Sequence, residues 1–183
     1  KYGVEHLVCS SLNRNSGTMV KEKTKMEKML ISGVAADKNV AKIRVAGLGN
    51  DPESTFRLLN LLDRNNLNID VMIQSLGKDG TKSVSFTVAK PDMLRTIDVL
   101  NDNKDSLGIK KLDYDENVAK ISVIGAGVRS HSGVAAKMFG ALANAGINTE
   151  MVTTSEIRIT ALIDEAYADQ AMRAIHETFL ERV

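Results

Sequence analysis

Two short segments carry oxygen-rich side chains that could bind a small polar ligand. In each one an asparagine stands two residues before an acid, with an amide or hydroxyl further on: Asn68, Asp70 and Gln74 in one, and Asn148, Thr149, Glu150 and Ser155 in the other. Carboxylate and amide oxygens hold an ammonium group by charge-assisted hydrogen bonds. Asparagines that only form turns and acids that only face solvent are the alternative, but the recurrence of the pattern favours a binding role.

A third segment could hold a carboxylate. Residues 50–54 read Asn-Asp-Pro-Glu-Ser, and a capping side chain followed by proline is typical of a helix start. The free backbone N–H groups and the positive end of the helix dipole can receive an anion there. An ammonium site and a carboxylate site together describe a free amino acid as the ligand.

Catalytic and metal-binding patterns are missing from the sequence. His6, His131 and His176 share no metal-ligand spacing, and the single cysteine, Cys9, excludes both an internal disulfide and a cysteine–zinc cluster. The glycines at positions 47 and 49 lack the third glycine of a dinucleotide-binding loop. We therefore predict no catalytic residue, no metal and no cofactor in this chain.

An internal repeat must position the candidate residues. Residues 40–49 read VAKIRVAGLG and residues 118–127 read VAKISVIGAG, so that seven of ten positions are identical. Asp70 and Glu150 then hold equivalent places in the two copies. Two copies are too few for a solenoid, which predicts two related modules of roughly 70 residues each.

In each copy the spacing of the apolar residues changes in the same order between that of a strand and that of a helix. This order predicts strand, helix, strand, strand and helix. In the first copy a further strand follows the second helix. This order is typical of an α+β, ferredoxin-like βαββαβ module, a four-stranded antiparallel sheet with both helices on one face. The predicted strands cover residues 40–47, 68–75, 83–88 and 109–114 in the first copy, and 118–125, 148–154 and 157–163 in the second.

The second copy lacks its last strand, because the sequence ends with a predicted helix over residues 166–180. The apolar run at residues 28–35 can supply it. We therefore predict that the first module, residues 38–116, is inserted in the second, which comprises residues 28–37 plus 117–183. Residues 1–27 are expected to belong to neither module and to form a linker.

Composition excludes several classes of function. The chain has 24 basic and 23 acidic residues, for a net charge of +1, and aromatic residues make up 4% of it. A chain with so balanced a charge is not expected to bind a nucleic acid or a membrane surface. An RNA-binding module of the same strand order is the alternative, but it needs aromatic-rich strands. The sequence shows no membrane span or signal peptide, which favours a cytoplasmic protein.

Several motifs resemble the C-terminal regulatory region of aspartate kinase, a tandem pair of ACT domains that also occurs as a separate small subunit. They are ISGVA at residues 31–35, NIDVMIQ at 68–74, GAGVRSHSGV at 125–134 and TSEIRI at 154–159. The resemblance covers nearly the whole chain. Residues 1–4 and 8–12 look like the end of the kinase catalytic domain, so residues 1–27 are expected to include that end, with the natural polypeptide continuing upstream.

The resemblance implies the partners. ACT pairs from two chains would form a homodimer through their sheets and bind lysine, threonine or both at the interface between them, inhibiting an aspartate kinase whose catalytic domain or large subunit uses ATP and Mg. An ACT pair serving another amino-acid enzyme is the alternative. The implied contacts with the effector are Asn50, Pro52, Ser54, Asn68, Ile69, Asp70, Gln74, His131, Asn148, Thr149, Glu150 and Ser155. Asn50 and Glu53 replace the acid and the glycine of the family's first loop, which leaves the ligand's identity open.

Overall fold

The computed structural model describes residues 6–8, 18–20, 31–130 and 133–180. The eight strands of these residues are β1 (His6–Val8), β2 (Thr18–Val20), β3 (Gly33–Leu48), β4 (Met72–Leu76), β5 (Lys82–Ala89), β6 (Lys111–Ile124), β7 (Met151–Thr154) and β8 (Arg158–Asp164). The helices are α1 (Pro52–Arg64), α2 (Met93–Asp102), α3 (Lys104–Leu107), α4 (Gly127–Ser130), α5 (Val134–Asn144) and α6 (Ala168–Leu180). Strands β1 and β2 form a separate antiparallel pair.

The main sheet has six antiparallel strands in the order β4-β5-β3-β6-β8-β7. This confirms the predicted antiparallel α+β fold. Two separate four-stranded sheets were expected from the repeat, but β3 and β6 run on for 16 and 14 residues and serve both modules. The two sheets are therefore joined through strands that they share.

The register shows how the modules interlock. Residues 33–37 of β3 pair with residues 120–124 of β6, on the side of β6 opposite to β8. Further along β3, residues 40–46 pair with β5 on one side and with the beginning of β6 on the other. The first module is thus inserted in the second. The register between β3 and β6 shifts twice, between Asp37 and Val40 and between Val40 and Lys42, as a β-bulge would cause.

Each module covers one face of its part of the sheet with two helices. In the first module Leu58 and Leu62 of α1 pack with Leu100 of α2 over Ile43 and Phe86 of the sheet. In the second, residues of α5 and α6 pack over strands β6 and β8, with Met138, Leu142, Ile175, Ile121 and Ile163 at the centre. Apolar residues on alternate strand positions and on one stripe of each helix produce these two cores.

The opposite, helix-free faces of the two modules meet. Val40 and Val118, where β3 and β6 cross from one module to the other, pack with Met151 and Leu162 of the second module. Val71 and Ile73 of the first module pack against this cluster. Polar residues of β3 and β6 that point away from the helices, Lys42 and Lys120 among them, are thereby brought to the interface between the modules.

No helix in the described ranges combines the length and hydrophobicity that a membrane span requires. Three parts of the sequence predictions fall outside the described residues: positions 28–30 of the predicted edge strand, the candidate contact His131, and most of residues 1–27.

Candidate functional site

The two predicted acidic positions form matching ion pairs across the interface between the modules. Asp70 of the first module accepts a hydrogen bond from Lys120 of the second, and Glu150 of the second accepts one from Lys42 of the first. Lys42 and Lys120 occupy equivalent positions of the repeat, as do the two acids. The sequence repeat thus becomes a reciprocal pair of contacts.

Lys120 lies at the centre of the more elaborate of these contacts. Its ammonium is also 3.1 Å from Asp37, its cross-strand neighbour in β3, and its side chain is only 17% exposed. Burial alone would lower the pKa of Lys120, but the hydrogen bonds to Asp70 and Asp37 outweigh that effect and raise the pKa. The lysine therefore stays charged at neutral pH, between two carboxylates.

A cleft of about 410 Å³ opens beside this contact, between the modules. Asp37, Asp70, Lys120, Ser155 and Arg158 are in its wall. The buried hydroxyls of Ser122 and Thr160, which also line the cleft, are hydrogen-bonded to each other at 2.9 Å. We call this space the inter-module cleft. It offers a guanidinium group, two carboxylates and several hydroxyls to one small ligand.

A smaller cleft of about 300 Å³ also borders this ion pair. Asn68, Ile69 and Asp70 line it, together with Asp37 and Lys120. Three of the predicted contact residues are therefore collected in one place. The Asp70 carboxylate can be approached from both clefts, and its side chain is 58% exposed.

The loop before α1 uses its free backbone groups internally. The Asp51 carboxylate caps the helix, accepting from the amides of Glu53 at 3.0 Å and Ser54 at 2.8 Å and from the Ser54 hydroxyl. The hydrogen bond from that hydroxyl, supported by the two amides, lowers the pKa of Asp51. The predicted amide site for a ligand carboxylate is thus occupied, at these two groups, by a carboxylate of the chain itself.

The remaining candidates lie in two further groups. Gln74 of β4 accepts a hydrogen bond from the Thr55 hydroxyl at 2.6 Å, which places it beside the start of α1 with Asn50, Pro52 and Ser54. Asn148, Thr149 and Glu150 precede the edge strand β7. Within the described residues, no group of three or more His, Cys, Asp or Glu side chains is placed to hold a metal ion.

Sequence reasoning missed the basic residues of this site. The sequence analysis assigned no role to Lys42, Lys120 or Arg158. The signal that could have found two of them is the repeat itself, because a lysine recurs at the equivalent position of both copies. Which acid each lysine meets depends on how the two sheets face each other, and that arrangement is not encoded in either copy alone.

Comparison with known proteins places this geometry in a family. The ACT-domain family model matches residues 121–179. An aspartokinase of Pseudomonas aeruginosa is 36% identical over 182 residues, which cover 98% of this chain and 44% of the relative. The chain therefore spans less than half the length of that relative.

Two solved structures match over nearly their full length. The structure of aspartokinase alpha and beta subunits has 42% sequence identity and a TM-score of 0.76, covering 81% of this chain and 98% of that one. The ligand-free regulatory subunit of aspartate kinase from Thermus thermophilus has 32% identity and a TM-score of 0.77, covering 82% and 99%. These matches confirm the resemblance seen in the sequence. The chain belongs to the aspartate kinase family, in which it corresponds to the regulatory region built from ACT domains.

Proposed function

We propose that this chain senses free amino acids for an aspartate kinase, binding lysine, threonine or both and lowering the activity of the kinase to which it belongs. The observation that carries the proposal is the match to a regulatory subunit of aspartate kinase over 99% of that subunit's length. The repeated asparagine and acid positions support an amino acid as the ligand, because they offer oxygen acceptors to an ammonium group.

The inter-module cleft is the proposed binding place. Its charged groups are two cations, Lys120 and Arg158, and two anions, Asp37 and Asp70, so threonine, a zwitterion, would leave the balance of charge unchanged and lysine would add one positive charge. The α-carboxylate would lie toward the Arg158 guanidinium and the nearby Ser155 hydroxyl, since a guanidinium binds a carboxylate through two parallel hydrogen bonds. The ammonium would lie toward Asp70, which lines the same cleft.

Inhibition follows if the amino acid binds one arrangement of the modules better than another. Such coupling is typically about 1 to 3 kcal/mol. We further propose that the partners are the catalytic domain or large subunit, where ATP and Mg would bind, and a second copy of this chain, all in the cytoplasm. The outer sides of β4 and β7 are sheet edges, and Met72 and Leu76 of β4 are exposed, which supports association of two copies through their sheets.

Ser155→Phe tests the proposed binding place. In the full natural enzyme a phenyl ring at this position would fill the cleft, so we expect inhibition by lysine and threonine to need at least tenfold more amino acid, about 1.4 kcal/mol of lost binding. The measurement is the ratio of inhibited to uninhibited aspartate phosphorylation, with calorimetric titration of each amino acid.

Ser106→Phe is the matched control. Both hydroxyls donate to a carbonyl three residues away, that of Ser155 to Arg158 at 3.3 Å and that of Ser106 to Asn103 at 2.9 Å. Ser106 is exposed and is not in the wall of either cleft. Wild-type inhibition in Ser155→Phe, or an equal loss in both variants, would contradict the binding place. Failure of the wild-type protein to bind either amino acid would contradict the function.

A further inference from the structure

The two carboxylates that contact Lys120 belong to different modules. Asp37 is its register partner on β3, within the same module, whereas Asp70 comes from the other module. Asp37 alone could neutralise the ammonium. The second carboxylate is thus an additional partner, and the group of Lys120, Asp37 and Asp70 carries one negative charge in excess.

Lys120 presents to Asp70 the same chemical group that a bound amino acid would present. The Lys120 side chain ends in a primary ammonium group, as does the α-carbon of a free amino acid. The carboxylate that it occupies, Asp70, is the one that the proposed function assigns to the ligand's ammonium. All three groups line both clefts, so a ligand that entered from either side would meet Asp70 with Lys120 already bound to it.

We propose that Lys120 is a built-in competitor of the effector's ammonium group, which the ligand displaces from Asp70 when it binds. This inference rests on the proposed function and specifies how that site is regulated. Lys120 keeps Asp37 as its partner after displacement, so no buried charge is left unpaired. The ligand's positive charge neutralises the excess negative charge of the group.

Displacement also provides the link to regulation. The bridge from Lys120 to Asp70 ties the second module to the first across their helix-free faces. Binding exchanges this bridge for contacts between Asp70 and the ligand. The effector therefore interacts differently with the tied and the released arrangement of the modules, which is the requirement for a ligand to shift their equilibrium.

Two neutral variants, Lys120→Met and Lys120→Gln, test the proposal in the full natural enzyme. Both remove the competing charge and keep a long side chain over the sheet, and the glutamine retains a hydrogen-bond donor should the methionine fail to fold. We expect lysine and threonine to bind about two- to fivefold more tightly, the range for loss of a partly exposed ion pair. The measurement is calorimetric titration of the folded variants with each amino acid.

Two further variants serve as controls. Lys120→Arg keeps the positive charge and should not bind the amino acids more tightly than the wild type. Lys38→Met removes an ion pair with Asp169 at 2.9 Å that does not line either cleft, and should leave the affinity unchanged. Unchanged or weaker binding in both neutral Lys120 variants, or equal tightening in Lys38→Met, would overturn the competitor role. Absence of binding in the wild type would instead overturn the proposed function.

Discussion

At the scale of single residues, the ion pairs of Asp70 and Glu150 join the two modules, as does a further pair between Lys90 and Glu165 at 2.7 Å. The Lys42 and Glu150 side chains are 24% and 36% exposed, so water screens their attraction only in part. Exposed ion pairs typically contribute at most about 1 kcal/mol, because desolvation and side-chain ordering offset the attraction. Their main effect is therefore to select which polar residues face one another, with a smaller effect on overall stability.

A double-mutant cycle on Lys42 and Glu150 should measure this contribution. We expect Lys42→Met and Glu150→Gln to show a coupling free energy of about 0.5 to 1 kcal/mol in urea unfolding. Lys38 and Asp169 form the matched control, since this pair is more exposed, at 43% and 67% of the two side chains. Equal coupling in the two cycles would show that partial burial adds nothing at Lys42.

Some features of the site could be predicted from single residues of the sequence, and others could not. The acids Asp70 and Glu150 could be picked from the sequence because their spacing from an asparagine repeats. A capping side chain before Pro52 was also predicted. That Asp51 takes the amides of Glu53 and Ser54, which were expected to be open to a ligand carboxylate, was not, because the same sequence is compatible with either acceptor. The role of each predicted contact in binding an effector stays a prediction.

At the scale of elements, the start of α1 shows how a loop constrains its own glycine. A Cβ atom at Gly49 would lie 2.5 Å from the Asp51 carboxylate and 3.1 Å from the Ser54 hydroxyl. Those two groups form the helix cap. A side chain at position 49 is thus incompatible with the cap in its present geometry.

Two glycine-to-alanine substitutions should consequently have opposite effects. Gly49→Ala should destabilise the protein by about 1 kcal/mol or more, since it displaces the capping side chain. Gly140→Ala should stabilise it by roughly 0.5 to 1 kcal/mol, because Gly140 lies inside α5 and a Cβ there meets nothing within 4 Å. Thermal unfolding followed by circular dichroism would compare them, and the same sign for both would contradict the cap argument.

The order of elements was predictable, and the lengths of two strands were not. Periodicity located the two long helices of each module and its strands to within a few residues, but not the short helices α3 and α4. The sequence pattern also predicted separate strands at 40–47 and 109–114, whereas β3 and β6 continue far beyond these limits. The cause is the polar junctions between the modules, such as residues 37–39, which resemble loops in the sequence but lie within a paired strand.

At the scale of the whole molecule, β3 and β6 contribute side chains to both hydrophobic cores. Loss of one core would remove pairing partners from the other. We therefore expect the two modules to unfold as one cooperative unit, as small single domains usually do.

Ile163→Val tests this cooperativity, because Ile163 belongs to β8 and is fully buried in the second core. It should cost about 0.5 to 1.5 kcal/mol. Hydrogen exchange should show the same loss of protection in β5 of the first module as in β8. Ile157→Val, at a side chain that is 59% exposed, should change neither strand. A loss confined to the second module would show that the modules unfold independently.

The register of β3 against β6 has a consequence for engineering. Asp37 and Lys120 are direct partners across the two strands, so the chain departs into the inserted segment and returns from it at adjacent points. Excision of that segment would leave two ends that a tight hairpin turn could join, yielding a miniature of half the size. The same adjacency offers a route by which an ancestral single-copy gene could have acquired its internal duplicate without breaking the host fold.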